Sequence, residues 1–485
     1  MKTLFERLQE YGESDYYGFH MPGHKRNPVI PGMESMFRMD ITEIEGFDDL
    51  HHPEGILRES QERAAKLFGA EETCFLVNGS TAGILASLLG AFQEGDKVLV
   101  ARNCHKSVYN GIYLGKLRPV YLYPEVDPDT GLNKGIREAE VRRALEVNPK
   151  IRGIVLVSPT YDGVVSEIDR IALAAREKGV PLIVDEAHGA HFGFHPYFPA
   201  SANEKGADIV IHSLHKTLPA LTQTALLHFN GDRVDRERVK GYLSMLQTSS
   251  PSYLFLTSIG QCIDLLEREK EELFCSYVDR LKRFRESFRA YRSVKLLETG
   301  CYDPSKVVIR VEGWTGKQVS DRLRKKHHLE MEMAAGTYVL AMTSVADNDT
   351  GFARLEAALK ELEKEGPKKA EAKEAKALEA LLSGGGRSSI REYDSFEVET
   401  QRKARGARRI RIEESGGRVS LEYAYLYPPG VPLLVPGEKI TKESIAVLQY
   451  YKELGYAIHG LREEERIEVL GNGKDILCDG KEFIG

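Results

Sequence analysis

Four short segments of this chain carry side chains whose types and spacing suit cofactor chemistry. In ADIVIHSLHKTLPALTQ an apolar run ends and Ser213, His215 and Lys216 follow directly. A lysine in that place, flanked by hydrogen-bonding side chains, suits a Schiff-base amine beside a phosphate site. The ordinary reading of any one lysine is a solvated surface charge. In VPLIVDEAHGAHFG, Asp185 follows five apolar positions, where an isolated carboxylate is costly unless a cation accompanies it. A protonated pyridine nitrogen is such a cation, and the small Ala187 leaves room for a flat ring against the backbone. In TCFLVNGSTAGILASLLGAF, Ser80, Thr81 and Ala82 open an apolar helix, whose unpaired N–H groups and dipole favour an anion. Plain helix capping uses the same geometry. In DKVLVARNCHKSVYNG, His105 offers an imidazole able to stack on a flat ring; a lone histidine is more often structural.

Other readings of DEAH compete with this one. The acidic box of a helicase requires a phosphate loop ending in Gly-Lys-Ser/Thr, and the Gly-Lys pairs beginning at 115, 316, 473 and 480 each continue with another residue. Asp185, His188 and His191 lack the H-E-x-x-H order and a cysteine pair, so no metal is expected. One lysine, one carboxylate, one anion cradle and one imidazole, all at the ends of apolar runs, are the parts that pyridoxal 5′-phosphate (PLP) requires.

The elements that must position these groups are legible as a pattern. Between about residues 70 and 230 the runs TCFLV, DKVLVA, RGIVLVS, VPLIVD, ADIVIHS and QTALLHF recur between helical stretches such as EIDRIALAAREKG. Runs that are apolar on both faces predict a buried, mainly parallel sheet in an α/β domain. Such sheets bind ligands beyond the carboxyl ends of their strands. From about 255 to 290 a long helix is expected, then a smaller α/β unit with strands in SKVVIRVEG and GTYVLAMT. KKAEAKEAKALEALLSGGGRSS has the composition of a solvated helix running into a linker, and a third unit carries RRIRIEE, GRVSLEYAYLYPPG, VPLLVPG and the helix KESIAVLQYYKELG. The expected division is an N-terminal arm (1–25), a large domain (26–290), a small α/β domain (291–365), a linker (366–390) and a C-terminal α+β domain (391–485).

Composition narrows the partners. The 485 residues are 42% hydrophobic and 29% charged, as in ordered globular proteins of two or three domains. With 67 Lys+Arg against 73 Asp+Glu the net charge is −6, and no basic half or tail exists to neutralise a nucleic acid. No window reaches the roughly 20 apolar residues of a membrane span, and MKTLFERLQEYGES is not a signal peptide. Cys74, Cys104, Cys262, Cys275, Cys301 and Cys478 are scattered and read as reduced thiols. A cytoplasmic enzyme without nucleic-acid or membrane partners is expected.

The ordered motifs GFHMPGHKRNP, DITEIEGFDDLHHPEG, NGSTAGI, RNCHKS, SPTYDGV, VDEAHGAHFGFH, HSLHKTLPALTQ, LQTSSPSY and YPPGVPLLVPGE resemble the bacterial ornithine/lysine/arginine decarboxylase family. The likeness runs from about residue 17 to beyond 440 and is to short members without an extra N-terminal regulatory domain. It implies the PLP-dependent aspartate-aminotransferase fold (fold type I), with Lys216 carrying the cofactor, Asp185 pairing with the pyridine nitrogen and His105 stacking on the ring. Ser80, Thr81, Ser213 and His215 would surround the phosphate, with Thr248 reaching it from a neighbouring subunit of a homodimer or higher homo-oligomer. His188 would meet the ring 3′-oxygen. Asp48, Asp49 and Glu438 are the acidic residues expected to meet the distal cation of a basic amino acid, and the HMPGHK segment and Tyr161-Asp162 would lie nearby. The implied reaction is loss of CO2 from arginine, lysine or ornithine, arginine first, feeding polyamine synthesis. An aminotransferase or carbon–sulfur lyase of the same fold is the enzymatic alternative, since fold alone does not separate them. Arg310, Arg322 and Arg324 would then be candidates to hold a substrate carboxylate. A catalytically silent binding homologue is the alternative of another class, against which Lys216 and Asp185 both stand.

Overall fold

The computed structural model describes residues 2–368, 390–463 and 465–472. Most of the expected linker and Cys478 lie outside the described residues. The large sheet has seven strands: β1 (Glu72–Leu76), β2 (Lys97–Ala101), β3 (Arg118–Leu122), β4 (Ile151–Val157), β5 (Leu182–Asp185), β6 (Ile209–His212) and β7 (Ala225–Phe229). Their order is β1-β7-β6-β5-β4-β2-β3. The pairs β2–β3, β2–β4, β4–β5 and β5–β6 are parallel, whereas β7 runs antiparallel to both β6 and β1. The β6–β7 connection holds only the one-turn helix Leu214–Thr217, too little for a parallel crossover, so the chain turns straight back.

Beyond the sheet the helix Tyr253–Ser287 spans 35 residues. It leads to β8 (Val294–Leu297), β9 (Lys306–Val311), β10 (Met333–Ala334) and β11 (Val339–Met342), ordered β10-β11-β9-β8. Helices Gly316–His327 and Asp349–Glu365 cover this small sheet. One apolar cluster runs unbroken from Phe75 and Leu226 of the large sheet, through Leu256, Ile263 and Tyr277 of the long helix, to Val307, Ile309 and Val339 of the small one. Shifting the two sheets would expose that shared core, so their relation is held by apolar burial.

After residue 390 come β12 (Ile390–Arg391), β13 (Ala407–Arg411), β14 (Ala424–Tyr425), β15 (Pro432–Leu434), β16 (Glu438–Lys439) and β17 (Arg466–Leu470), in three two-stranded ribbons around the helix Lys442–Glu453. Arg102, one residue beyond β2, forms a buried ion pair of 3.0 Å with Glu438 and donates to the carbonyls of Pro432 and Leu433. Lys106 N–H also donates to the Gly430 carbonyl at 3.0 Å. The C-terminal unit is thereby bolted to the strand end that carries His105.

Candidate active site

Each expected chemical group stands at the carboxyl end of a strand of the large sheet. β5 ends in Asp185, which is 4% exposed. Burial pushes its carboxyl pKa up, against the opposing pull of Lys216 and of the Ala187 N–H that donates to Oδ1 at 3.2 Å. Lys216 follows β6, with Nζ 3.0 Å from His188 Nε2. Burial lowers the lysine below its ordinary range, while the charges of Asp185 and Glu332 work the other way. Its amine is therefore easier to deprotonate than a surface lysine, as a nucleophilic amine requires.

Burial also keeps the imidazoles neutral. His188 is held well below the usual histidine pKa by burial first and then by Lys216 and Lys306, and its ring meets Tyr161 at 4.5 Å between centroids. His105, at the N-cap of the helix Lys106–Leu114, accepts the Ser107 N–H on Nδ1 at 3.3 Å. That bond leaves the proton for Nε2, and burial with the charges of Lys216 and Lys106 lowers its pKa to about 4. His215 donates from Nδ1 to the Thr224 carbonyl at 2.9 Å.

Several groups are left unsatisfied within the chain. Ser213 Oγ, Thr217 Oγ1 and His188 Nδ1 are buried without hydrogen-bond partners, as in a pocket shaped for a polar ligand. The helix Gly79–Ala91 starts with no side-chain cap, so its first turn keeps N–H groups for an anion. Ser80 is half-buried, Thr81 exposed and Ala82 buried beside them. A buried carboxylate, a deprotonatable lysine, neutral imidazoles and unsatisfied hydroxyls fit PLP in charge and hydrogen-bonding capacity. Among the described residues no cluster of three His, Cys, Asp or Glu is arranged to hold a metal.

The acidic residues chosen from sequence have other work. Asp48 accepts N–H bonds from Glu54, Gly55 and Leu57 at 2.8–3.0 Å. These bonds hold its carboxyl below the usual range although burial opposes them, and they fasten the start of the helix Ile56–Leu67. Asp49 accepts the His51 N–H at 2.7 Å. Glu438 is 1% exposed against Arg102. Asp48 and Glu438 thus have their oxygens engaged by the scaffold, whereas Asp49 is half-buried with Oδ1 engaged by that single bond. Besides Asp185, the acidic group whose charge reaches Lys216 is Glu332, an exposed side chain one residue before β10 that accepts a hydrogen bond from the Tyr161 hydroxyl. Its charge reaches both Lys216 and Lys306. Sequence reasoning missed it because HHLEMEMAAG reads as a solvated, alternating stretch.

Two further placements matter. Thr248 sits on an exposed turn, its carbonyl accepting from His51 Nε2 at 2.9 Å and its hydroxyl from the Ser250 N–H. The small-domain arginines are engaged elsewhere. Arg310 donates to the carbonyls of Asp129 and Thr130, Arg322 pairs with Glu361 and Glu365, and Arg324 pairs with Asp321.

The fold and this cluster define the class of PLP-dependent enzymes built on the aminotransferase fold. The chain resembles, at TM-score 0.55 and 16% identity, the Bacillus subtilis ureidoglycine–glyoxylate aminotransferase, covering 68% of this chain and 89% of that one. It is more similar to the constitutive lysine decarboxylase of E. coli, at TM-score 0.82 and 22% identity over 96% of this chain and 81% of that one. Residues 2–322 match the Orn/Lys/Arg decarboxylase major domain and residues 392–461 the Orn/Lys/Arg decarboxylase C-terminal domain. The chain belongs to the Orn/Lys/Arg decarboxylase family of PLP-dependent lyases. Among curated relatives it is 34% identical to the uncharacterized protein YaaO of Bacillus subtilis, covering 92% of this chain and 93% of that one. It is 32% identical to the arginine decarboxylase of the same organism, over 94% and 95%.

Proposed function

We propose that the protein removes CO2 from a basic L-amino acid, arginine before lysine or ornithine, to leave agmatine, cadaverine or putrescine for polyamine synthesis in the cytoplasm. The observation that carries this reading is the carboxylate of Glu332 in the field of Lys216, an anion suited to the distal guanidinium or ammonium of such a substrate. Near-full-length relatives named arginine decarboxylase support arginine as first choice.

Bound PLP supplies an electron sink for the pair left on Cα when the carboxylate departs. Lys216 would hold it covalently. Asp185, buried and negative, favours a proton on the ring nitrogen. His105, neutral and fixed by its Nδ1 bond to Ser107, presents a flat face without adding charge. His188 accepts from Lys216 Nζ and so positions that amine. Ala187 backs the ring, while Ser80, Thr81, Ala82, Ser213 and His215 take the phosphate. Burial of this cluster excludes water, which favours departure of a charged carboxylate as neutral CO2.

We propose also that two subunits share each site, with Thr248 of one reaching the phosphate of the other. Exposed Tyr16, Tyr17, Phe19 and Met21 on the N-terminal arm support an associating surface, because apolar patches of this kind mark interfaces. Incubation of the PLP-loaded enzyme with each basic amino acid tests the reaction. CO2 and amine should form in equal amounts without a 2-keto acid, arginine being fastest; a keto-acid product refutes decarboxylation in favour of amino transfer.

A further inference from the structure

Lys306 opens β9 on the small sheet, yet it is 1% exposed. Its Nζ is a buried donor without a hydrogen-bond partner. A buried ammonium in that condition is expensive unless something arrives to satisfy it. Its stem is not placed loosely. Gly163, at φ +97, passes so close that a Cβ there would stand 2.7 Å from Lys306 Cγ, and only glycine allows that approach in that conformation. The groups whose charge reaches it are Asp303, Lys216, Glu332 and Asp162, and its own charge reaches His188. Asp303 is occupied by His191, at 3.0 Å, and by Ser305. Asp162 accepts from the Tyr338 hydroxyl at 2.6 Å. The acceptors whose charge reaches Lys306 thus have other donors, while its unpartnered amine lies within reach of the charges of Lys216 and His188.

We infer that Lys306 is a specificity-determining residue that receives the α-carboxylate of the substrate. The inference rests on the amino-acid decarboxylase reading above. Cofactor and substrate together bring three anionic groups to this region, namely the cofactor phosphate, the ring 3′-oxygen that His188 would meet, and the substrate carboxylate. The phosphate is claimed by the β1 and β6 ends, and the carboxylate is attached to the carbon next to the nitrogen that Lys216 must exchange. Of the small-domain arginines, Arg310 donates to the Asp129 and Thr130 carbonyls and Arg322 and Arg324 pair with carboxylates, so none matches the wholly unpartnered amine of Lys306. Burial brings the Lys306 pKa down to about 8, with Asp303 resisting, and an arriving carboxylate favours its charged form. As the C–C bond breaks, the negative charge leaves the carboxylate and the contact weakens. The interaction is therefore made in the ground state, and it separates amino acid from amine product more than it accelerates the chemistry.

The test compares Lys306→Met with the parent holoenzyme by titrating the cofactor's visible absorbance with arginine and, separately, with agmatine. Arginine affinity should fall about tenfold or more, the usual worth of a charge-assisted hydrogen bond, while agmatine affinity stays within about threefold. KM should rise and kcat should rise with it, leaving kcat/KM nearly unchanged, because the contact removed from the ground state is already weakened in the transition state. Lys306→Arg, which keeps the charge, should retain the preference for arginine over agmatine, and it carries the test if Lys306→Met does not fold. Equal weakening of both ligands, a collapse of kcat at constant KM, or loss of preference in Lys306→Arg overturns the inference. Failure of the parent enzyme to release CO2 from arginine, lysine and ornithine would instead refute the proposed function, and the binding comparison still reads Lys306 independently of turnover.

Discussion

Glu438→Gln separates a scaffold role from a substrate role at one carboxylate. The Arg102 and Glu438 side chains are 7% and 1% exposed and meet at 3.0 Å, so the substitution leaves a buried guanidinium without its counter-charge. Removing one partner of such a pair costs about 3–5 kcal/mol. Arg102 keeps the carbonyls of Pro432 and Leu433 and the hydroxyl of Tyr109, which argues for about 3 kcal/mol, the lower end. At about 2.1 cal/mol/K per residue, unfolding all 485 residues together carries an entropy of about 1 kcal/mol/K, so Tm should drop by about 3 °C. If the unit after residue 390 melts alone, its smaller entropy of about 0.2 kcal/mol/K turns the same loss into a drop of about 15 °C in that transition. Differential scanning calorimetry of the PLP-loaded enzyme reads either result. The double change Arg102→Met with Glu438→Met should recover most of the loss, because apolar residues of similar volume replace buried pairs well. An unchanged Tm together with a KM raised tenfold would refute the scaffold role and return Glu438 to the substrate.

Glu332→Gln should do the reverse, raising KM for arginine about tenfold or more with Tm unchanged, because a charged hydrogen bond to the substrate is worth about 1.5–3 kcal/mol; equal KM values in both proteins would remove Glu332 from the site. Asp185→Asn should lower kcat about a hundredfold or more, and a near-normal rate would mean that another group keeps the ring nitrogen protonated. The pKa values of His105, His188 and His228 are depressed in the folded chain, chiefly by burial, so the unfolded state binds more protons and their stabilisation, present above about pH 6.5, is lost as pH falls. For His105 the loss extends to about pH 4; urea midpoints of the cofactor-free protein should therefore fall steadily below pH 6.5, and a flat profile would contradict neutral burial. Mixing Lys216→Ala with a silent Thr248 variant should restore activity through hybrid sites, whereas demonstrated subunit exchange without activity would refute shared sites.

The parts of the site that could be read in the sequence are those whose cost is local. Asp185 after five apolar residues and Lys216 just past a buried strand are conspicuous because the same short segment both buries and charges them. Strand β3 has no such signature in the sequence: it lies at the sheet edge and contains Pro119, a residue that an edge strand tolerates and a central strand does not. The direction of β7 was hidden for a different reason, since QTALLHF is equally apolar whichever way it runs and only the short loop before it forces the return. Glu332 and Lys306 had no local signature. Each is an ordinary charge near a strand of the small sheet, and each acquires meaning when the long helix and its shared apolar core bring that sheet against the Lys216 cluster. Glu438 makes the same point from the other side: it finds Arg102 across 336 positions of sequence, a partner that no spacing rule within its own motif supplies. A charge can be read from its motif when the motif contains its burial; when burial is produced by another domain, only the packed structure says whether the charge is solvated, neutralised or waiting for substrate.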